Sequence, residues 1–316
     1  MTRLPTFLLA LPLLFANCAF AQSPNHSQQT NGRGAIGLSC RAEGNGCRVS
    51  RIAKAGPAER AGLRVGDLLL RLNPSDQIGV VEQIAKNPPG TKITLPVQRG
   101  SEQIQVPISV EDQLAVALRG AALGDPVAEQ TVGSIYHRGT GVAKDPAEAL
   151  KWLRKAANHG YDVAQVEIGW MYDHGEGVPN DDQTAVEWYR KAAEQGHAPA
   201  ELLLGAMYVQ GRGLPKDDKA AAEWFHKAAD QGVADAQNEL GSMYARGQGV
   251  NQDYRAAAEW YRKAARQGDA TAEYNLGLCY ENGRGVPKDL AAAIAWYKKA
   301  AEQGFEPARQ RLANLG

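Results

Sequence analysis

The phrase LGSMYARGQGV, which opens at Leu240, places Gly241, Gly247 and Gly249 inside a stretch that otherwise reads as helix. It returns as IGWMYDHGEGV from Ile168, LGAMYVQGRGL from Leu204 and LGLCYENGRGV from Leu276, with a looser copy, VGSIYHRGTGV, from Val132. Each copy starts 36 residues after the previous one. A fixed period of this size marks a stacked array, in which each unit buries its apolar face only against its neighbours. The register divides 125–304 into five copies and leaves 305–316 as a terminal half-copy.

Within a copy the apolar spacing predicts two amphipathic helices, Ala198 to Gln210 and Asp218 to Gln231 in the third. Gly211 and Gly213 then end the first helix and turn the chain, since both can take positive φ. The mid-helix glycine, Gly205 here, costs about 1 kcal/mol against alanine. It is expected to let the paired helix approach closely at Ala221, Ala228 and Ala229. Two aromatic stripes are expected in the core: Tyr136, Tyr172, Tyr208, Tyr244 and Tyr280, and Trp152, Trp188, Trp224, Trp260 and Trp296. Cys279 stands where the other copies have Met171, Met207 and Met243, which reads as a small core residue.

This pattern resembles the Sel-one-like repeat (SLR), a relative of the tetratricopeptide repeat. The resemblance implies an all-α, right-handed superhelical solenoid of helix pairs, whose first helices line a concave face that holds protein partners. On that face helical spacing selects Val166 and Trp170, Leu202, Ala206 and Val209, Asn238 and Ser242, and Tyr274 and Leu278. The apolar ones, exposed in a row, would form a partner site. The competing reading packs them against a neighbouring repeat or the preceding domain.

The segment 34–110 has another rhythm, with short apolar strands punctuated by glycine and proline: AIGLSC, CRVSRIA, DLLLRLN, KITLPVQR and IQVPISV. It predicts a small α+β domain. Gly56-Pro57-Ala58, Ala61-Gly62-Leu63, Gly66-Asp67 before Leu68 to Leu72, and Pro89-Gly90-Thr91 resemble a PDZ domain of the kind attached to the high-temperature-requirement serine proteases of the bacterial envelope. The resemblance implies a carboxylate-binding loop at Ile36, Gly37 and Leu38, and a groove wall at Val81 and Ile84. An extended C-terminus would pair there with the exposed strand. The stretch 111–124 is expected to be a connecting helix that caps the first repeat.

Residues 1–21 carry one arginine, an apolar run and Ala19-Phe20-Ala21, the pattern of a secretory signal cleaved between Ala21 and Gln22. A lipoprotein reading through Cys18 competes with it. Residues 22–33 read as a flexible polar tail. Export predicts a periplasmic or secreted protein and permits a disulfide between Cys40 and Cys47, which flank the turn-forming RAEGNG; two unpaired strand cysteines are the other reading.

Lysine plus arginine equal aspartate plus glutamate at 35 each, so the overall charge offers nothing to nucleic acid or an anionic membrane. No apolar run reaches the length of a membrane span. Phosphate-loop, HExxH, GxSxG and CxxC patterns are absent, and the histidines fall at scattered repeat positions, so no catalytic residue, metal or cofactor is expected. The sequence therefore predicts a non-enzymatic adaptor of the bacterial envelope, with the PDZ groove taking one protein segment and the SLR face another. Two other readings stay open: an SLR-type envelope enzyme acting on β-lactams or peptidoglycan fragments, and an in-trans modulator of an envelope protease.

Overall fold

The structure, a computed structural model, describes residues 38–43, 46–52, 57–70, 91–109 and 113–315. The chain divides into two compact units, one running to Met171 and including Gly175–Pro179, the other comprising Tyr172–His174 and Asn180–Gly316.

The first unit begins with an antiparallel sheet whose strands lie in chain order: β1 (Leu38–Glu43), β2 (Gly46–Ile52), β3 (Leu68–Leu70), β4 (Lys92–Arg99) and β5 (Glu102–Ser109). The short helix α1 (Pro57–Arg60) follows β2. Alternation puts Leu95 and Val97 of β4, and Val106 and Ile108 of β5, into one core with Val49, Ala58, Leu63 and Leu69. Asp67, of the Gly66-Asp67 pair, is buried at the start of β3. Its carboxylate accepts from Arg99 at 2.8 and 2.7 Å and from the Arg64 backbone N–H at 2.9 Å. The Arg99 bond holds that carboxyl below the ordinary aspartate range, assisted by the Arg64 N–H and opposed by burial. This fork explains why the pair precedes the apolar strand: it pins β3 against β4.

The helical part follows: α2 (Gln113–Ala122), α3 (Pro126–Arg138), α4 (Pro146–Asn158), α5 (Asp162–His174) and α6 (Asp182–Glu194). Next come α7 (Ala198–Gln210) with α8 (Asp218–Asp230), α9 (Ala234–Arg246) with α10 (Tyr254–Ala265), and α11 (Ala270–Asn282) with α12 (Leu290–Glu302). The short α13 (Glu306–Ala313) closes the array by packing on α12. Each second helix starts on an aspartate, Asp145, Asp181, Asp217, Asp253 or Asp289, whose carboxylate accepts a backbone N–H of the first turn. Each first helix ends on a left-handed glycine from Gly139 to Gly283. These local signals place the helices where the spacing predicts them.

Packing refines two expectations. The mid-helix glycine makes room first for one large side chain of the second helix, and the close approach at the Ala221 position holds beside it: a Cβ on Gly133 or Gly241 would lie 3.1 or 3.2 Å from the carbonyl of Ala149 or Ala257. A Cβ on Gly205 would lie 2.7 Å from the Phe225 ring, one on Gly241 would lie 2.8 Å from Tyr261, and Gly133 and Gly277 meet Leu153 and Tyr297 in the same way. Those side chains, with Tyr189, are the most deeply buried large residues of the second helices, ahead of Leu150 and Trp260. The tryptophan one position earlier is only partly buried in Trp152, Trp188, Trp224 and Trp296, and the Tyr136 series is partly buried as well. Adjacent helical residues point about 100° apart, so burying position 225 turns 224 toward the rim.

The second glycine of the turn has a use beyond its φ. A Cβ on Gly213, Gly249 or Gly285 would overlap the carbonyl that opens the preceding second helix, at Asp182, Asp218 or Tyr254. The turn of one copy thus rests directly on the main chain of the copy before it.

Candidate functional site

The PDZ groove expected from the sequence is described only along one strand. Leu38 opens β1, which lies at the edge of the sheet with β2 beside it. Ile36, Gly37, Val81 and Ile84 lie outside the described residues, as do the signal segment with its Ala21/Gln22 boundary and the tail 22–33. The hairpin register sets Cys40 opposite Val49 and Cys47 opposite Ala42, so the two cysteines are diagonal neighbours rather than a directly facing pair. Cys279 is free and buried, and burial pushes its thiol up to about 11, which keeps it protonated and inert.

The expected row of exposed apolar residues on the first helices is not what the array presents. Val166 is buried at 2% exposure and is a core residue, not part of a surface. Trp170 is partly buried, its ring 5.4 Å from that of His137. In the second unit Leu202 and Val209 pack against the cluster built on Phe225 and Leu240. Tyr274 packs on the rings of Tyr297 and Phe305 at 5.4 and 5.5 Å, with Leu278 in the same cluster. Neighbouring copies cover these side chains because no first helix can bury its own apolar stripe.

What the sequence reading missed lies beside Asn238 and Ser242, which spacing had already selected: the carboxylates Asp235 and Glu239. Asp235, Asn238, Glu239 and Ser242 are spaced three, four and seven apart on α9, which puts them on one face. Asn238 accepts from Asn275 Nδ2 of α11 at 2.9 Å, which sets the two stripes side by side. Asp269, the cap of α11, adds another carboxylate. Burial and the nearby Asp269 push the Asp235 carboxyl up to about 6. Burial raises Glu239 too, against the pull of Arg246. The face therefore changes from apolar on α7 to acidic on α9 to aromatic on α11. Its signal was readable at Asn238, where the adjacent copies carry Leu202 and Tyr274, and at Glu239, where the preceding copy carries Leu203.

The tryptophan rim is chemically uniform. Lys155, Lys191, Lys227, Lys263 and Lys299 each set their ammonium over the tryptophan three residues earlier, at 3.6, 4.0, 3.7, 3.5 and 4.2 Å from the ring centroid. These cation–π contacts cover the indoles, so the rim is shielded structure and not a bare aromatic stripe. Among the described residues no group of three His, Cys, Asp or Glu is placed to hold a metal, and no helix is long and apolar enough to cross a membrane.

The five repeats match the Sel1 repeat family model at 127–161, 162–197, 198–233, 234–269 and 270–305, more than half of the chain. The chain belongs to the Sel1 repeat proteins. Its residues 34–110 match the PDZ domain model. Among solved structures, this Sel1 repeat protein is similar to c5321, a protective antigen present in uropathogenic Escherichia coli strains displaying an SLR fold. The two are 39% identical, with a TM-score of 0.63, over 64% of this chain and 43% of that one. It is also similar to a Sel1 repeat protein from Oxalobacter formigenes, at 36% identity and a TM-score of 0.60, over 64% of this chain and 80% of that one. The likeness thus spans less than half the length of the Escherichia coli protein. No curated protein matches the chain. Sel1 repeats and PDZ domains are generally protein-interaction modules, so the partners implied here are proteins.

Proposed function

We propose that this Sel1 repeat protein is a non-enzymatic adaptor of the bacterial cell envelope, exported by cleavage after Ala21 and acting in the periplasm or outside the cell. Its PDZ domain takes an exposed C-terminus or extended strand, and the first-helix face of its repeats takes a second protein segment. The observation that carries the reading is the place of β1 at the edge of the sheet, ahead of five interaction repeats. A peptide adds to such a strand through main-chain hydrogen bonds while its carboxylate meets the loop of Ile36, Gly37 and Leu38. Val81 and Ile84 then form the wall of that groove.

On the repeats, the support is the graded face that runs from Leu202 and Val209 past Glu239 to Tyr274 and Leu278. Holding two partners on one chain raises the local concentration of each toward the other. A Cys40–Cys47 bridge belongs to the same reading. Their diagonal placement across the hairpin supports it, and an oxidising compartment permits such a bridge.

The test uses residues 22–316 as bait against envelope proteins, beside a bait of 111–316 and a full-length Leu202→Asp/Glu239→Lys variant. Partners lost only from the shorter bait belong to the PDZ groove, and equal capture by both would refute that half. Capture unaffected by the double substitution would refute the repeat half. A non-reduced peptide map without a linked 40/47 fragment would remove the disulfide.

A further inference from the structure

One buried group in the first unit has no part in that reading. Glu167, on α5, is nearly inaccessible and lies against Gln130 and Ser134 of α3, both equally buried. Four short contacts join the three side chains. Gln130 Nε2 lies 2.8 Å from Ser134 Oγ and 2.5 Å from Glu167 Oε1, and Ser134 Oγ lies 2.9 and 2.8 Å from the two carboxyl oxygens. The amide supplies two hydrogens and the hydroxyl one. With Glu167 ionised, three hydrogens serve four contacts, and the two carboxylate oxygens must share the single serine hydrogen. A hydrogen on Glu167 Oε2 supplies the fourth: Oε2–H donates to Ser134 Oγ, Oγ–H donates to Glu167 Oε1, and Gln130 donates to Ser134 Oγ and Glu167 Oε1.

From this donor count and the burial of all three side chains, we propose that Glu167 is a neutral carboxylic acid in the folded protein near pH 7, and that its ionisation is a pH-sensitive break between the first two copies. The cations that act on it are His137 and Arg138 of α3, whose charge favours the ionised form. His137 is already paired with Glu176 at 2.9 Å. Burial outweighs the Ser134 and Gln130 hydrogen bonds and these cations together, and raises the carboxyl, in agreement with the donor count. Trp170 lies one turn further along α5 against His137, so the break would loosen the segment that carries this candidate partner residue.

Glu167→Gln in the full chain is the test, because an amide reproduces the donor and acceptors of the protonated acid. A carboxyl raised in the folded state contributes stability that is complete below its unfolded value, about 4.3, and is lost as pH rises toward its folded value. The ratio of unfolding constants, wild type over variant, should rise roughly tenfold per pH unit above about pH 5 until the folded group ionises. Amide exchange in α3 and α5 of the wild type should quicken over the same interval while that of the variant stays level. Parallel curves for the two proteins would overturn the proposal. Infrared difference spectra decide independently of stability: a carboxylic-acid carbonyl band present at pH 7 and missing in Glu167→Gln supports it. Should the variant fail to fold, wild type with carbon-13-labelled glutamate still decides, because the absence of any protonated glutamate band at pH 7 would overturn it.

Discussion

The sheet domain and the repeat array are held together by different kinds of contact. In the sheet a fork, Arg99 on Asp67, joins segments far apart in sequence, and one core cluster takes side chains from β2, β3, β4 and β5. In the array each joint is a copy: an aspartate cap, a left-handed glycine, a second glycine resting on the preceding carbonyl, and a large residue filling the gap at the mid-helix glycine. A lesion in the sheet should therefore be felt throughout that domain, whereas a lesion in the array should stay near its joint. The array also tolerates variation wherever the joint does not depend on it, and its acidic face on α9 occupies such positions.

The largest test of this contrast is Phe225→Ala, which should cost about 3 to 5 kcal/mol because the ring fills the space over Gly205. The neighbouring Trp224→Ala should cost clearly less, since that indole sits at the rim under Lys227. Equal losses in chemical denaturation would contradict the assignment of the buried side chain. Gly249→Ala comes next, at about 2 to 4 kcal/mol, because strained φ adds to a clash with the Asp218 carbonyl. Gly268→Ala has a similar φ and open space around it, so it should cost only about 1 to 2 kcal/mol. Hydrogen exchange should confine the Gly249→Ala damage to α8, α9 and α10.

Acid sharpens the contrast, because the two regions should respond with opposite sign. Asp235, raised to about 6, contributes stability that is present at low pH and lost as pH rises through that value. Lowering the pH from 7 to 4 should therefore stabilise the array, and Asp235→Asn should flatten the response. Asp67 is depressed, so its contribution is present above about pH 4 and is lost only as pH falls through its lower folded value. Asp67→Asn should weaken the sheet by about 2 kcal/mol at neutral pH and leave exchange in α7 to α12 unchanged. The smallest effect is Lys227→Ala, about 0.5 kcal/mol from the lost contact with Trp224, read out as a shift in Trp fluorescence.

The local elements were legible in the sequence. A 36-residue period, an aspartate before each second helix and a glycine after each first helix are short-range chemistry, and the helices fall where that chemistry puts them. The strands of the sheet were legible from alternation, and the class of partner from resemblance. The face of the array was legible only in part. Spacing located Leu202, Val209, Tyr274 and Leu278 on the first helices but could not say that adjacent copies half-cover them, and it took the buried Val166 for a surface residue. Asp235 and Glu239 were overlooked because the stripe was drawn through Asn238 and Ser242 alone, and the two carboxylates flank that line on the same face.

By itself the sequence determined where each helix starts and stops, how many copies stack, and which residues share a helical face, because caps, φ preferences and periodicity act within a few residues. Only the tertiary structure decided that Phe225 and not Trp224 fills the joint, that Gly213 is needed by the main chain of the copy before it, and that Glu167 meets Ser134 where neither reaches water. Those outcomes depend on how closely one helix pair approaches the next, and that distance is set by the packing of the whole joint.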